Sequence, residues 1–215
     1  MNKKFSFSIL IISVISFIGH LFIYTKLPDI IPIHWGKNGI DGYGPKYMDI
    51  VLALIPIVVY IFLILVPKLD PKKQNYKKHE KAYDFVIGFT NLFLILLSWA
   101  TALVSLGYPI HIDKIVQIGI GVLFIIIGNY MPQIRQNYFF GIRTPWAIEN
   151  EYVWKKTQHL GGIMFVISGI LFIILGILMN KYFITVIILD LVAIVLIPYI
   201  YSYVLFKKEM EKLNK

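Results

Sequence analysis

The sequence predicts an all-α integral membrane protein with six transmembrane helices, and three observations support this fold class. The 215 residues are 58% hydrophobic and only 15% charged, with a mean hydropathy of +0.72. Apolar runs of about twenty residues, the length that crosses a bilayer, alternate with polar segments. The basic residues gather in every second polar segment. A soluble domain of this size could not cover so much apolar surface, so a soluble fold is excluded.

Composition also limits the chemistry of the chain. The absence of cysteine excludes disulfides, thiolate nucleophiles and thiolate metal sites. The formal net charge of +9 could indicate nucleic-acid binding, but lysine enrichment of cytoplasmic loops is its commoner cause in a membrane protein. We therefore expect no direct contact with nucleic acid, and no motif indicates a cofactor.

The six predicted spans are joined by segments of very different length. The first follows a short basic start, and a retained helix is favoured over a signal peptide because no small-x-small cleavage site follows it. Pro56 is tolerable inside the second span because neighbouring helices can satisfy the freed carbonyl. A tight turn at Asn180-Lys181 joins the last two spans. The predicted spans are residues 5–24, 48–66, 85–106, 115–131, 162–179 and 183–206.

The distribution of lysine and arginine predicts the orientation. With six spans both termini share one side, which then carries sixteen of the 21 basic residues against five on the other side. By the positive-inside rule both termini are cytoplasmic. Segments 67–84 and 129–162 are then cytoplasmic, and segment 25–47 faces outward. We expect two modules, a two-helix module in residues 1–84 and a four-helix module in residues 85–215.

The outward segment reads IPIHWGKNGIDGYGPK at its centre, and its Pro and Gly content excludes a long helix and favours turns. Trp35 and Tyr43 suit the membrane interface, and the glycines permit unusual backbone angles. One His and two Asp are too few ligands to predict a metal site. We interpret His34, Trp35, Asp41 and Lys46 as an outward recognition loop; the alternative is that His34 only holds a turn together.

Segment 129–162 contains the only two arginines of the chain, Arg135 and Arg143, beside nineteen lysines. A planar guanidinium can hold a carboxylate or phosphate bidentately, which an ammonium cannot do. We therefore interpret this segment as an anion-binding or partner-binding site near lipid headgroups; chance retention of two arginines is the alternative. The candidate residues are Asn129, Pro132, Arg135, Asn137, Gly141, Arg143, Thr144, Pro145, Trp146, Trp154, Thr157 and His159.

The same segment carries helix stop and start signals. Pro132 is expected to end the fourth helix, and Gly141 allows a tight turn. Thr144 and Pro145 form a helix start, with the hydroxyl as cap and the proline at the first helical position. No G-x-S-x-G, P-loop or Cys/His pair is present, so the sequence offers no nucleophile and we expect no enzyme.

Residues 150–160 are predicted to form a short amphipathic helix lying in the membrane interface. Val153 and Trp154 share its apolar side, and charged residues occupy the remainder. Gly161-Gly162 is then expected to turn the chain into the fifth span. The alternative is a passive surface helix, in which Trp146 and Trp154 are interface anchors.

Two sets of glycines recur every seven residues, nearly two helical turns, so each set lies on one helix face. Gly162, Gly169 and Gly176 form the set in the fifth span, and Gly121 and Gly128 form the set in the fourth. Small residues let membrane helices approach closely. We therefore expect the fourth and fifth spans to pack backbone to backbone; the alternative is that glycine is simply common in membrane helices.

Asp190 is the acidic residue that we place inside a span. An intramembrane carboxylate is a candidate functional group by default, but a depth of roughly 10 Å also suits a capping or water-contacting role. His20, near the outer end of the first span, is a candidate neighbour of Asp190.

The stretch GNYMPQIRQNYFFGIRTPWAIENEYVWKKTQHLGG closely resembles the SdpI family of bacterial immunity proteins, and IPIHWGKNGIDGYGPK resembles the small domain of unknown function that often precedes that core. The resemblance implies a multi-pass bacterial plasma-membrane protein that contacts membrane lipids and protects its cell against a secreted, membrane-active toxic peptide. It also implies that toxin presence is relayed to a cytoplasmic repressor. The candidate residues of segment 129–162 match the motif, while Gln133, Gln136 and Gln158 fall at positions that we take to be variable.

Two other functions fit the sequence less well. A transporter needs charged groups along its path, and Asp190 alone supports a pump poorly. A membrane enzyme that binds phosphorylated lipids would use the two arginines, with His159 as acid or base, but it lacks a metal cluster or a nucleophile.

Overall fold

The computed structural model describes residues 3–36, 39–178 and 183–213. Within these residues the chain forms seven α-helices and one two-stranded β-hairpin, with short 3-10 turns between them. The elements are α1 (Lys3–Ile23), β1 (Ile30–Gly36), β2 (Gly39–Pro45), α2 (Tyr47–Leu69), α3 (Glu80–Ser105), α4 (Ile112–Tyr130), α5 (Pro145–Glu149), α6 (Glu151–Leu178) and α7 (Phe183–Leu213).

Every helix except α5 is long and apolar enough to cross a membrane, so the described residues contain the six spans that the sequence predicts. Large apolar side chains such as Phe22, Ile167 and Leu189 point outward from the helices because lipid, not water, is their solvent. The predicted turn at Asn180-Lys181 lies outside the described residues. The cytoplasmic orientation of both termini stays a prediction from the lysine distribution.

The helices pack in a simple order. Helices α1, α2 and α3 pack against one another, α3 continues the contact to α4, and α4 lies along α6 in the most extensive helix pair. Helix α7 packs on α6, and the short α5 contacts both of them. The β-hairpin lies between α1 and α2 at one end of the molecule. The α2–α3 and α4–α6 connections meet at the opposite end, which we call the loop end.

The predicted close approach of the fourth and fifth spans is confirmed. A Cβ atom added to Gly121 would lie 2.6 Å from the carbonyl oxygen of Gly169, and one added to Gly169 would lie 2.5 Å from that of Gly121. Gly128 and Gly162 face each other in the same reciprocal way, at 2.6 and 2.7 Å. The two backbones of α4 and α6 therefore touch at two levels, and a side chain at either level would separate them.

We expect Gly169→Leu to lower the free energy of unfolding by about 1–3 kcal/mol, because the added side chain must displace backbone atoms of Gly121 and Ile125. Thermal unfolding of the purified protein in detergent measures this loss. Ile170→Leu, on the exposed side of the same turn, is the matched control and should change little. Equal stability of the two variants would contradict the packing interpretation.

The predicted interfacial helix is wrong as a separate element. Residues 151–160 are the first turns of α6, which runs without a break through Gly161 and Gly162 into the membrane. The two glycines do not turn the chain; they make room for neighbours. A Cβ atom at Gly161 would collide with the side chains of Ile142 and Met131, and one at Gly162 would meet Gly128.

The segment between α1 and α2 is a β-hairpin, where the sequence predicted only turns. Strand β1 pairs antiparallel with β2, with register shifts between Pro32 and Trp35. Of the hairpin glycines that are described, only Gly39 has a positive φ (102°), as the expectation of unusual backbone angles required. Gly42 and Gly44 instead give space to the side chains of His34 and Ile33. The hairpin is anchored by Ile31, which is fully buried.

Candidate functional site

The α4–α6 loop, residues 131–150, contains one 3-10 turn and the short helix α5, and side-chain amides hold much of its remaining backbone. Asn137 is almost fully buried, and its amide nitrogen donates to the carbonyl oxygens of Arg135 (2.8 Å) and Phe140 (2.9 Å). Its amide oxygen accepts from the backbone N–H groups of Phe139 and Phe140. One side chain thus satisfies the polar groups of a tight turn that would otherwise be buried without partners.

Asp70, at the end of α2, ties this loop to the α2–α3 connection. Its buried carboxylate accepts from the backbone N–H of Lys72 (2.7 Å), the hydroxyl of Tyr76 (3.0 Å) and the backbone N–H of Tyr138 (2.8 Å). The Tyr76 hydroxyl also lies 3.2 Å from the amide oxygen of Asn137. The two halves of the chain therefore share one hydrogen-bond network at the loop end.

Gln158 holds the second half of the loop against α6. Its amide oxygen accepts from the backbone N–H of Ile142 (3.0 Å), and its amide nitrogen donates to the carbonyl oxygen of Ile142 (2.7 Å). The adjacent Gly141 has a φ of 97°, so the turn predicted there is confirmed. A Cβ atom at Gly141 would also lie only 2.7 Å from the Gln158 amide oxygen. Only glycine meets both conditions.

Gln136 links the same loop to both of its neighbours. Its amide nitrogen donates to the carbonyl oxygens of Ala147 and Ile148, and its amide oxygen accepts from the ammonium of Lys72 at 3.1 Å. Asn75 donates to its backbone carbonyl at 2.7 Å. Gln136 and Gln158 therefore hold the loop in this chain, although we take both positions to be variable within the family motif.

The two tryptophans make tertiary contacts, and Trp154 is not an interface anchor. Trp154 is fully buried in the core of the loop end, and its indole N–H donates to the carbonyl oxygen of Ile134 at 2.7 Å. Trp146 packs against the rings of Tyr199 and Tyr203 on α7, each at a centroid distance of 5.0 Å. Both rings attach the loop to transmembrane helices. An indole ring suits this role because it has a large apolar surface and one N–H donor.

The predicted stop and start signals of the loop are confirmed. Helix α4 ends at Tyr130 and gives way to a 3-10 turn that contains Pro132. Thr144 caps α5, with its hydroxyl oxygen accepting from the backbone N–H of Ala147 at 3.1 Å, and Pro145 is the first helical residue. The side chain of Asn150 caps α6 in the same way.

The two arginines have different neighbours. The Nη1 atom of Arg135 lies 3.9 Å from a carboxylate oxygen of Glu151, and its backbone N–H donates to the Nδ1 atom of the buried His79 at 3.3 Å. Arg143 instead donates from Nη1 to the carbonyl oxygen of Tyr138. Both guanidinium groups remain accessible, but they face different surroundings and do not form one paired anion clamp.

Three further candidates point away from this network or have only a packing role. Asn129 is exposed and donates to the carbonyl oxygen of Ile125 in its own helix at 3.0 Å. Thr157 is fully buried on the Trp154 side of α6, and His159 is exposed on the other side.

Sequence reasoning missed Asp70 and Gln158, and the signal differed for each. Gln158 lies four residues after Trp154 and three before Gly161, so helical spacing alone places it on the buried side of α6. Asp70 stands among lysines in PKLDPKK, where an acidic residue ordinarily indicates a solvated ion pair. No sequence signal distinguishes that case from a buried acceptor.

At the hairpin end, the predicted recognition residues form two separate pairs. His34 and Asp41 face each other across the strands through Nδ1 and a carboxylate oxygen, and both are exposed. Lys46 binds Asp29 at 2.8 Å, and this contact holds the pKa of the Asp29 carboxyl below its usual value and raises the pKa of Lys46. Trp35 lies in register with Ile40, half-buried on the hairpin. The exposed surface thus carries charges of both signs.

The polar groups inside the spans are arranged differently from our expectation. Asp190 accepts from the hydroxyl of Ser168 on α6 at 2.9 Å, and its other carboxylate oxygen is buried without a partner among the described residues. His20 is not its neighbour. His20 instead pairs with Asp49 at the start of α2, with Nδ1 at 3.0 Å from both carboxylate oxygens and both side chains fully buried. We did not single out Asp49 from the sequence.

The described residues contain no group of three or more His, Asp or Glu side chains that could hold a metal ion. The polar side chains at the two ends mainly form hydrogen bonds to backbone groups and ion pairs with one another. Some basic side chains remain accessible. Fold and site together define a multi-pass helical protein of the cell membrane, with a β-hairpin at one end and a loop held by side-chain amides at the other.

Comparison with known proteins identifies the family. Residues 133–202 match the SdpI/YfhL protein family, and residues 11–59 match a domain of unknown function, DUF1648. The Immunity protein SdpI of Bacillus subtilis (strain 168) is 32% identical over 207 residues, which cover 96% of this chain and 97% of that protein. No solved structure matches. The chain belongs to the SdpI/YfhL family. The similarity supports a function in membrane immunity, which favours a non-enzymatic protein over an enzyme.

Proposed function

We propose that the chain is an immunity protein of a bacterial plasma membrane, which protects its cell against a secreted toxic peptide that disrupts the membrane. The observation that carries the proposal is the similarity to an immunity protein over nearly the whole chain. The two-ended architecture supports it, because a structured hairpin outside the predicted spans offers a surface to a peptide that arrives from outside.

The hairpin is the surface that we assign to the peptide. His34, Asp41 and Tyr43 are exposed on it, and Ile31 and the Lys46–Asp29 pair fix it to the helix ends. A preordered surface loses little conformational freedom on binding, so its contacts count fully toward affinity. Tyr43 adds a large amphipathic ring of the kind that dominates binding interfaces.

Expression of the chain in a sensitive bacterium is expected to raise survival when the cognate peptide is added. His34→Ala/Asp41→Ala should weaken protection about tenfold, as the loss of one or two polar contacts does, with unchanged abundance in the membrane. Lys208→Ala, an exposed change near the end of α7, is the control. Survival equal to that of cells without the protein would contradict immunity, and full protection by the double variant would contradict only the assignment to the hairpin.

The loop end is the surface that we assign to a cytoplasmic repressor. Arg135, Tyr138 and Phe139 are exposed there on a backbone held by Asn137 and Asp70. In the same survival assay, a transcriptional reporter of repressor release separates the two roles. Arg135→Ala should lower the reporter signal and leave survival unchanged, whereas a hairpin variant should lower both.

A further inference from the structure

Two apolar cavities share Arg143 in their lining. The smaller, of about 240 Å³, lies between α2, α3 and the loop, with Phe62, Val86 and Phe140 in its wall. The larger, of about 580 Å³, lies between the loop, α6 and α7, with Phe165, Ile194 and Val195 in its wall. Arg143 lines both cavities, so a ligand in either cavity would lie beside the same positive charge.

The cavities lie where the apolar helices give way to the polar loop end. Phe62 and Val66 belong to the last turns of α2, and Val86 belongs to the first turns of α3. The walls of both cavities are mainly apolar, and the larger cavity falls within the range of about 300–1,000 Å³ that is typical of ligand sites. A ligand must therefore have an apolar part that contacts the cavity walls and a charged or polar group at the loop end.

The charge at this end is positive and available. Arg143 uses one nitrogen to bind the Tyr138 carbonyl, and no carboxylate within the described ranges lies close enough to form an ion pair with it. Lys72 adds a second cation, with its ammonium 5.7 Å from the centre of the Tyr138 ring. Because a guanidinium has five N–H donors in a planar fork, it retains donors for the paired oxygens of a phosphate.

We propose that Arg143 is the headgroup site for one anionic phospholipid, with its two acyl chains lying in the two cavities. The phosphodiester accepts from the guanidinium, and each chain covers apolar wall that the helices leave open. A phospholipid fits better than an acidic peptide because two separate apolar cavities, both lined in part by transmembrane helices, share a single charged residue. Anionic lipid is also concentrated in the cytoplasmic leaflet, the side predicted for this loop.

Arg135 provides the internal comparison. It lies in the same loop and is also exposed, but it lines neither cavity and faces Glu151. If positive charge alone attracted the lipid, the two arginines would contribute equally. The proposal requires that Arg143 contributes and Arg135 does not.

The test uses the purified full-length protein in nanodiscs or detergent, with phosphatidylglycerol and phosphatidylcholine as probes and native mass spectrometry as the readout. The wild type is expected to retain phosphatidylglycerol at least about tenfold more strongly than phosphatidylcholine, as expected for a charge-assisted contact. Arg143→Gln should remove most of this preference, and Arg135→Gln should leave it unchanged. An equal loss in both variants, or none in Arg143→Gln, overturns the proposal.

A second pair of variants keeps the test valid if Arg143→Gln fails to fold. Val195→Trp places a larger side chain in the larger cavity and leaves Arg143 in the sequence, and Val192→Trp substitutes an exposed residue one turn earlier that lines neither cavity. The first should release phosphatidylglycerol, and the second should not. Retention by Val195→Trp at the wild-type level overturns the placement of a chain there, and so does displacement of the lipid by inorganic phosphate alone.

Discussion

Asp70→Ala is expected to lower the free energy of unfolding by about 3–5 kcal/mol and to loosen the loop end before the rest of the protein. The substitution leaves the backbone N–H groups of Lys72 and Tyr138 and the hydroxyl of Tyr76 without their acceptor in a site where Asp70 is only 2% exposed. Each buried donor without a partner costs about 1–3 kcal/mol. The Asn137 amide oxygen, 3.2 Å from the Tyr76 hydroxyl, compensates for part of the loss.

Thermal unfolding in detergent measures the global effect, and hydrogen exchange of the amides in residues 137–142 measures the local one. Both should respond to Asp70→Ala. Glu149→Ala, an exposed acidic change in the same region, is the control and should alter neither measurement by more than about 0.5 kcal/mol. Unchanged exchange in the Asp70 variant would mean that the loop does not depend on this carboxylate.

Asp49→Ala is expected to cost about 3–5 kcal/mol at the other end of the molecule. His20 would lose its hydrogen-bond partner in a fully buried site. The free-energy cost of an unpaired buried polar group increases as the site becomes less accessible to water. The Trp99 ring lies 4.5 Å from the His20 ring but gives the imidazole no hydrogen-bond acceptor in exchange, because an indole N–H only donates and here donates to Ser16.

The double variant His20→Leu/Asp49→Leu separates a pair effect from two unrelated losses. Replacing both partners of a buried pair by apolar residues of similar volume is often nearly neutral, so the double variant should be more stable than Asp49→Ala alone. The comparison uses the same unfolding assay. Losses that simply add would show that His20 and Asp49 contribute independently, against the 3.0 Å contacts between them.

Helical periodicity accounts for much of what the sequence predicted correctly. The six spans follow from the length and apolarity of each run, and the α4–α6 contact follows from glycines spaced by seven residues. The caps at Thr144 and the positive φ at Gly141 are equally local, since a hydroxyl before proline and a glycine in a loop act on their own backbone.

The predictions that the structure contradicts depend on contacts between residues that are distant in the sequence. From the sequence we interpret Gly161-Gly162 as a turn. The same residues can equally form a surface without side chains on a continuous helix. The structure shows the second case, because Ile142 and Met131 pack against Gly161. Trp154 suited a membrane interface by type, and only the carbonyl of Ile134 facing its indole N–H shows it to be core. Each choice depends on residues between 19 and 30 positions away, from Gly161 to Ile142 and from Gly161 to Met131.

The sequence by itself determined the class of the protein, the number of spans, the close helix pair and the family motif in the loop. These are properties of composition and of spacing within one segment. The tertiary structure alone decided which polar residues meet: Asp70 with Tyr138, His20 with Asp49, and Arg143 with two cavities instead of with Arg135. Such pairings join segments up to 68 residues apart, and they depend on how helices pack, which no local pattern encodes.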